Sequence, residues 1–148
     1  MCREIKGTYA LVNAEYFKTL LYKIYHAEES VRVVMFDWRF GNNKLGSPIY
    51  RINQQMKSAA KRGLDCRAIL QSEKVAEALE QEGWQTKTIS KDHLLHMKVV
   101  IIDRNTALVG SHNLTESAMS YNAEVSLLTI EKEAVDVLLK GFDELWYY

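Results

Sequence analysis

One proline and seven glycines in 148 residues leave no Pro-rich or Gly/Ser-rich tract. That excludes a collagen-like repeat, a flexible linker and a disordered chain. Two cysteines, Cys2 and Cys66, form no C-x-x-C and no disulfide framework. Cys66 falls in a strand-like run, as a small apolar core residue, and such sparse usage fits a reducing compartment. No apolar run approaches 18 residues, which argues against a transmembrane helix. The opening Met-Cys-Arg-Glu-Ile-Lys-Gly has no apolar h-region, so the sequence as it stands reads as cytoplasmic. Excess charge of one sign is lacking too: 19 Lys+Arg balance 19 Asp+Glu. A protein that coats nucleic acid by bulk charge is thereby excluded.

What is there is ordinary for one soluble domain spanning residues 1–148: 47% hydrophobic and 26% charged residues. A chain of this length can bury about 68–70% of its unfolded surface. The charge is unevenly spread. Residues 1–72 carry +6 and residues 73–148 carry −6. Much of the acid lies in 73–82 and 131–144, which read as two solvated helix faces; a dipolar molecule with one cationic face is the alternative.

Helical and extended patterns alternate. Residues 14–28 place Phe17, Leu20, Leu21, Ile24 and Tyr25 on one helical face. Val31–Trp38 is a buried strand, followed by loop residues 39–47. Pro48 opens a helix over 49–62 that Gly63 ends. Asp65–Leu70 is a strand, 73–82 a helix ended by Gly83, and Trp84–Ile89 a short strand. Met97–Asp103 and Thr106–Gly110 form a strand pair with a turn at Arg104-Asn105. Glu124–Ile130 is a further strand, and a helix from 132 to 146 closes the chain. The order implies an α/β fold with a mixed sheet.

The chemistry gathers in His96-Met-Lys98, Asp103 and Gly110-Ser111-His112-Asn113. On a strand from 96 to 102, His96 and Lys98 share one face, while Met97 and Val99 point to a core. An imidazole beside an ammonium is an unfavourable core pair, because an unpaired buried Lys is costly. Together they suit an anion: fixed charge from Lys98, and a nucleophile, acid or base near neutral pH from His96. The Gly110-Ser111-x-Asn113 turn offers a hydroxyl, an amide and backbone N–H groups to phosphate oxygens. Asn113 with Glu116 also fits a helix N-cap. His112 reads as structural. Zn²⁺ ligation by His93, His96, His112 and Cys66 matches no standard spacing, and Lys98 would oppose a dication.

The pattern H-x-K-x4-D-x6-G-S-x-N resembles the signature of the phospholipase D superfamily, complete in residue type and spacing. The layout is similar to small single-motif members, a compact bacterial endonuclease type and a mitochondrial cardiolipin-hydrolase-like branch. The resemblance implies a mixed sheet with helices on both faces. It implies His96 as nucleophile or acid, Lys98 and Asn113 on the non-bridging oxygens, and Ser111 helping from the same turn. Asp103 would fix a turn and Gly110 support the loop. Glu124, in Asn122-Ala-Glu-Val, would lie behind the catalytic His and orient it. No metal or other cofactor is implied. The motif occurs once, and hydrolysis by this route uses two histidines, so a homodimer across the site is expected.

The expected function is therefore a metal-independent phosphodiesterase working through a phosphohistidine, with nucleic acid as first-choice substrate. Phospholipid hydrolysis ranks lower for want of a basic or amphipathic membrane stripe, and a non-catalytic nucleic-acid-binding module is the third reading. The loop Trp38-Arg39-Phe40-Gly41-Asn42-Asn43-Lys44 interleaves aromatics with Arg39 and Lys44, as a substrate loop that stacks bases would.

Overall fold

The computed structural model describes residues 4, 5 and 7–148; Cys2 lies outside them. Its centre is one eight-stranded mixed sheet, in the order β1-β2-β8-β7-β6-β3-β4-β5. The strands are β1 (Glu4–Ile5), β2 (Thr8–Val12), β3 (Ser30–Met35), β4 (Asp65–Leu70), β5 (Gln85–Thr88), β6 (Lys98–Ile102), β7 (Thr106–Gly110) and β8 (Val125–Thr129). The helices are α1 (Glu15–Tyr25), α2 (Pro48–Lys61), α3 (Glu73–Gln81), α4 (Glu116–Ser120) and α5 (Lys132–Trp146).

Local chemistry sets the helix ends. Pro48 sits in the first turn of α2, where its missing N–H costs nothing, and the Ser47 hydroxyl accepts from Tyr50 N–H at 3.3 Å. Ser72 caps α3 in the same way through Val75 N–H. Gly63 and Gly83 follow α2 and α3 with φ of 85° and 93°, the left-handed exit that glycine makes without strain.

β3, β4 and β5 run parallel, joined by α2 and α3 as two βαβ crossovers. The other neighbouring pairs are antiparallel. All six residues of β3 are buried, the mark of a strand covered on both faces. One face carries Leu20 and Ile24 of α1, Ile49, Ile52 and Met56 of α2, and Leu79 of α3. α5 covers part of the other with Val135, Leu139 and Phe142, packed on Val34, Ile69, Val99, Ile101 and Ala107. Helices thus flank both faces of a mixed sheet, as expected.

Two details depart from the sequence pattern. The chain also forms β1, β2 and the five-residue α4. The β6–β7 turn has its positive φ values at Asp103 and Arg104 (54° and 58°), one position earlier than expected, with Asn105 N–H on Ile102 C=O at 3.2 Å. The Asp103 carboxylate accepts backbone N–H groups from Glu28 and Glu29, and that of Ser30. It thereby pins the entry to β3 at the sheet end opposite the functional site. No helix among the described residues is long and apolar enough to cross a membrane.

Candidate active site

The sheet's directions bring distant segments to one edge. β6 and β8 run antiparallel to β3, β7 and β2. The starts of β6 and β8 therefore lie beside the ends of the other three. His96 precedes β6, Glu124 precedes β8, Ser111–Asn113 follow β7, Phe36 and Asp37 follow β3, and Asn13 follows β2. After β7 the chain turns across the sheet end to pair with the continuation of β3. Leu114 N–H donates to Asp37 C=O at 3.0 Å, Arg39 N–H to Leu114 C=O at 2.9 Å, and Trp38 bridges Leu114 in parallel. On the other side, Phe36 N–H donates to Met97 C=O at 3.0 Å. The β3 continuation thus lies between the His96 segment and the Asn113 segment.

Lys98 Nζ lies 3.3 Å from His96 Nδ1 and donates to His96 C=O at 3.0 Å. The ammonium also stands 5.2 Å from the Phe36 ring centroid, and that ring packs on His96 at 4.8 Å. Asn113 is oriented by the backbone: its Oδ1 accepts Asp37 N–H at 3.1 Å. An N–H demands the oxygen, so the amide NH₂ points elsewhere, and it has no partner among the described residues. An imidazole, an ammonium and an amide donor are therefore held at one edge from two separate segments.

Gly110 allows this convergence. A Cβ there would overlap the backbone of Ser126, its partner in the β7–β8 register, so only glycine lets the two strands close up before the turn.

The Glu124 carboxylate meets Ser111 and Asn122 rather than His96. Ser111 Oγ–H donates to Oε1 at 2.6 Å and Asn122 Nδ2 to Oε2 at 3.1 Å. The same Ser111 oxygen accepts Val125 N–H at 3.0 Å, and Asn13 Oδ1 accepts Glu124 N–H at 2.9 Å. The register of β8 on β7 sets this: it faces Glu124 towards the Ser111 turn, and the Ser111 proton is committed to that carboxylate. Within one chain no hydrogen bond joins Glu124 to His96.

Several expectations are corrected. Asn113 is no helix cap: the cap of α4 lies two residues later, where Thr115 Oγ1 accepts Ala118 N–H at 3.2 Å. Glu116 instead reaches Ile49 N–H and the Ser120 hydroxyl. Met97 does not face a core, because β6 begins only at Lys98 and leaves Met97 39% exposed. Trp38 is not a loop aromatic free to stack bases, and Phe40 is half-buried against it. Trp38 is buried, crossing Phe40 and Trp84 edge-on, with its indole N–H on Asn53 Oδ1 at 2.8 Å. Asn53 in turn donates to Arg39 C=O and to Asn43, tying the loop to α2. Arg39 is exposed and paired with Asp37, Nε to Oδ1 at 3.0 Å; Lys44 is exposed. Of this segment Phe36, read as a buried strand residue, is the aromatic at the site. The signal was Asp37, a carboxylate that breaks the apolar run and marks its end.

His112 is a core residue. It stacks on Tyr16 at 4.2 Å, and Nε2 donates to Asn13 C=O at 2.9 Å. Nδ1 then accepts from the Ser126 hydroxyl at 2.7 Å. Burial holds its pKa below the usual imidazole value. Among the described residues no three His, Cys, Asp or Glu side chains converge as a metal site would require.

A sequence profile described as cardiolipin synthase, PLD-like domain, matches residues 20–146. The chain belongs to the phospholipase D superfamily. Human mitochondrial cardiolipin hydrolase is 31% identical over 68 residues, 46% of this chain and 27% of that protein. Cardiolipin synthase A of Pseudomonas putida is 35% identical over 54 residues, 34% of this chain and 11% of that one. The matched segments thus span about a quarter and about a tenth of those two relatives. Among solved structures, Nuc from Salmonella typhimurium, a phospholipase D family member, superposes with a TM-score of 0.77 at 20% identity, over 95% of both chains. NucT from Helicobacter pylori does so with 0.76 at 19% identity, also over 95% of both. At these identities the structural likeness establishes a shared phospholipase D-type fold.

Proposed function

We propose that this protein is a metal-independent phosphodiesterase that cleaves nucleic acid through a covalent phosphohistidine at His96, in a homodimer with one shared site. The observation that carries the reading is the convergence of one imidazole, one ammonium and one unpartnered amide NH₂ on a single exposed edge. An unprotonated ring nitrogen of His96 forms a bond to phosphorus, and the bond from phosphorus to the leaving oxygen breaks. That oxygen takes a proton from His96 of the partner subunit. Water then attacks the phosphohistidine and returns its proton to that same imidazole, restoring both histidines. Lys98 and Asn113 stabilise the charge that builds on the non-bridging oxygens. Glu124, fixed by Ser111 and Asn122, stands at the rim as a carboxylate for an imidazolium brought by a second chain.

Two features support the homodimer. The motif supplies one histidine where the reaction uses two. Beside the site, β2 and β8 leave Val12, Val125 and Leu127 exposed on the sheet face that α5 only partly covers. Val12 and Val125 are register partners and Leu127 lies two residues on, so the three form one apolar strip suited to an isologous contact.

Nucleic acid is favoured over lipid by the rim. Lys74 and Lys91 are exposed there without ion-pair partners among the described residues, lining clefts that Phe36 also lines. The names of the curated relatives carry the second reading, a cardiolipin phosphodiester. The deciding assay compares labelled single-stranded DNA, RNA, duplex DNA and cardiolipin vesicles, with and without excess EDTA. Cleavage of nucleic acid that persists in EDTA is expected. Cleavage of cardiolipin alone would replace nucleic acid as substrate, and activity abolished by chelation and restored by one metal would overturn the mechanism.

A further inference from the structure

Phe36 is 38% exposed, on an otherwise buried strand. Isolated exposed apolar residues need no explanation, but this one has a particular place. One part of its ring touches the His96 ring, and Lys98 Nζ stands over it at 5.2 Å. The same residue lines two clefts at the ends of β3, β4 and β5. The first, of about 430 Å³, lies between residues 35–42 and 70–75. The second, of about 1080 Å³, lies between residues 71–74 and the 88–94 segment. Phe36 therefore lies where the two clefts meet, with Gln71, Ser72 and Lys74, and in contact with His96 and Lys98. Gln71 shapes the clefts: its side chain holds Ser90 C=O, His93 C=O and Leu95 N–H, which fixes the segment leading into His96.

The charges around the clefts are asymmetric in their freedom. Lys74 lines both and Lys91 the second, each exposed. Of the other charged groups, Asp37 is already neutralised by Arg39, and Glu73 is the one carboxylate lining the second cleft. An aromatic ring next to the reacting phosphorus, followed by free ammonium groups, is the arrangement that holds a single strand: bases stack and phosphates track the cations. A base in a duplex has its faces covered and cannot use such a ring.

We infer that Phe36 is the stacking platform for the nucleobase flanking the scissile phosphate, and that the strand runs from it along the clefts towards Lys74 and Lys91. This rests on the nucleic-acid reading above and makes the substrate class single-stranded.

The test separates the ring's role from the activity. Fluorescence anisotropy measures binding of His96→Asn protein to labelled oligothymidylate and to an abasic strand of equal length and charge. His96→Asn should bind the thymidylate strand about tenfold or more tightly than the abasic one, the scale of one stacked base. Adding Phe36→Ala or Phe36→Leu should erase that preference, and adding Phe36→Trp should keep it. Lys74→Ala with Lys91→Ala should weaken both strands equally and flatten the salt dependence. Equal binding of the two strands, or a preference that survives Phe36→Ala, overturns the inference. So does an active enzyme in which Phe36→Ala slows cleavage of both strands by the same factor, since the ring would then act only through His96. Base-dependent binding without cleavage would leave the platform standing and remove the proposed activity.

Discussion

At the scale of single residues, Asn113 is the most informative group. Its oxygen is claimed by Asp37 N–H, and this fixes the amide so that both N–H donors remain for a ligand. Asn113→Asp separates the two jobs. A carboxylate still accepts Asp37 N–H, so the fold should hold with a melting temperature near the parent's. The donors are replaced by negative charge facing a phosphodiester, and turnover should fall about 100-fold or more, as when an oxyanion donor is removed. Steady-state rates beside a thermal melt check this; a rate within tenfold of the parent in a folded variant would remove Asn113 from the site. The candidate site residues were legible because their types have few other uses. An imidazole and an ammonium two residues apart on an extended segment have little reason to be in a core. Their partners were not legible. Nothing in the sequence near Glu124 says that its carboxylate meets Ser111, since that follows from the β7–β8 register, and neighbouring residues do not encode register.

At the scale of elements, the site depends on how closely β7 and β8 approach. Gly110 faces Ser126 with no room for a Cβ, and the obstacle is backbone, which a side-chain rotation cannot relieve. Gly110→Ala should therefore push β8 from β7, displace the Ser111–Glu124 pair and destabilise the fold by roughly 1–3 kcal/mol. A urea melt would show the loss; an unchanged midpoint would contradict this account of the turn. The elements built from local signals were readable. Pro48 with Ser47, Gly63 and Gly83 mark helix ends through chemistry confined to a few residues. β2 was missed because Thr8–Val12 is a short run near the sheet edge, with the two-residue β1 on one side and its burial set by the distant β8 on the other, and α4 because five residues give no helical period. Trp38 looked like a loop aromatic because its burial depends on the crossing of residue 114, far away in the chain.

At the scale of the whole molecule, the arithmetic of histidines governs. One chain brings one His96, yet on the proposed route attack on phosphorus and protonation of the leaving oxygen need two imidazoles in opposite protonation states. A two-fold dimer over the exposed edge supplies both and predicts a bell-shaped pH–rate profile, one limb for each state. The most direct measurement is the stoichiometry and location of the covalent intermediate. Wild-type protein turning over a labelled phosphodiester in excess EDTA is quenched rapidly, its intact mass is read, and the adduct is mapped by peptide. The account predicts one phosphoryl-linked adduct per two chains, on His96, absent from His96→Asn. No adduct under conditions of full turnover, an adduct on another residue, or one adduct on every chain would contradict it.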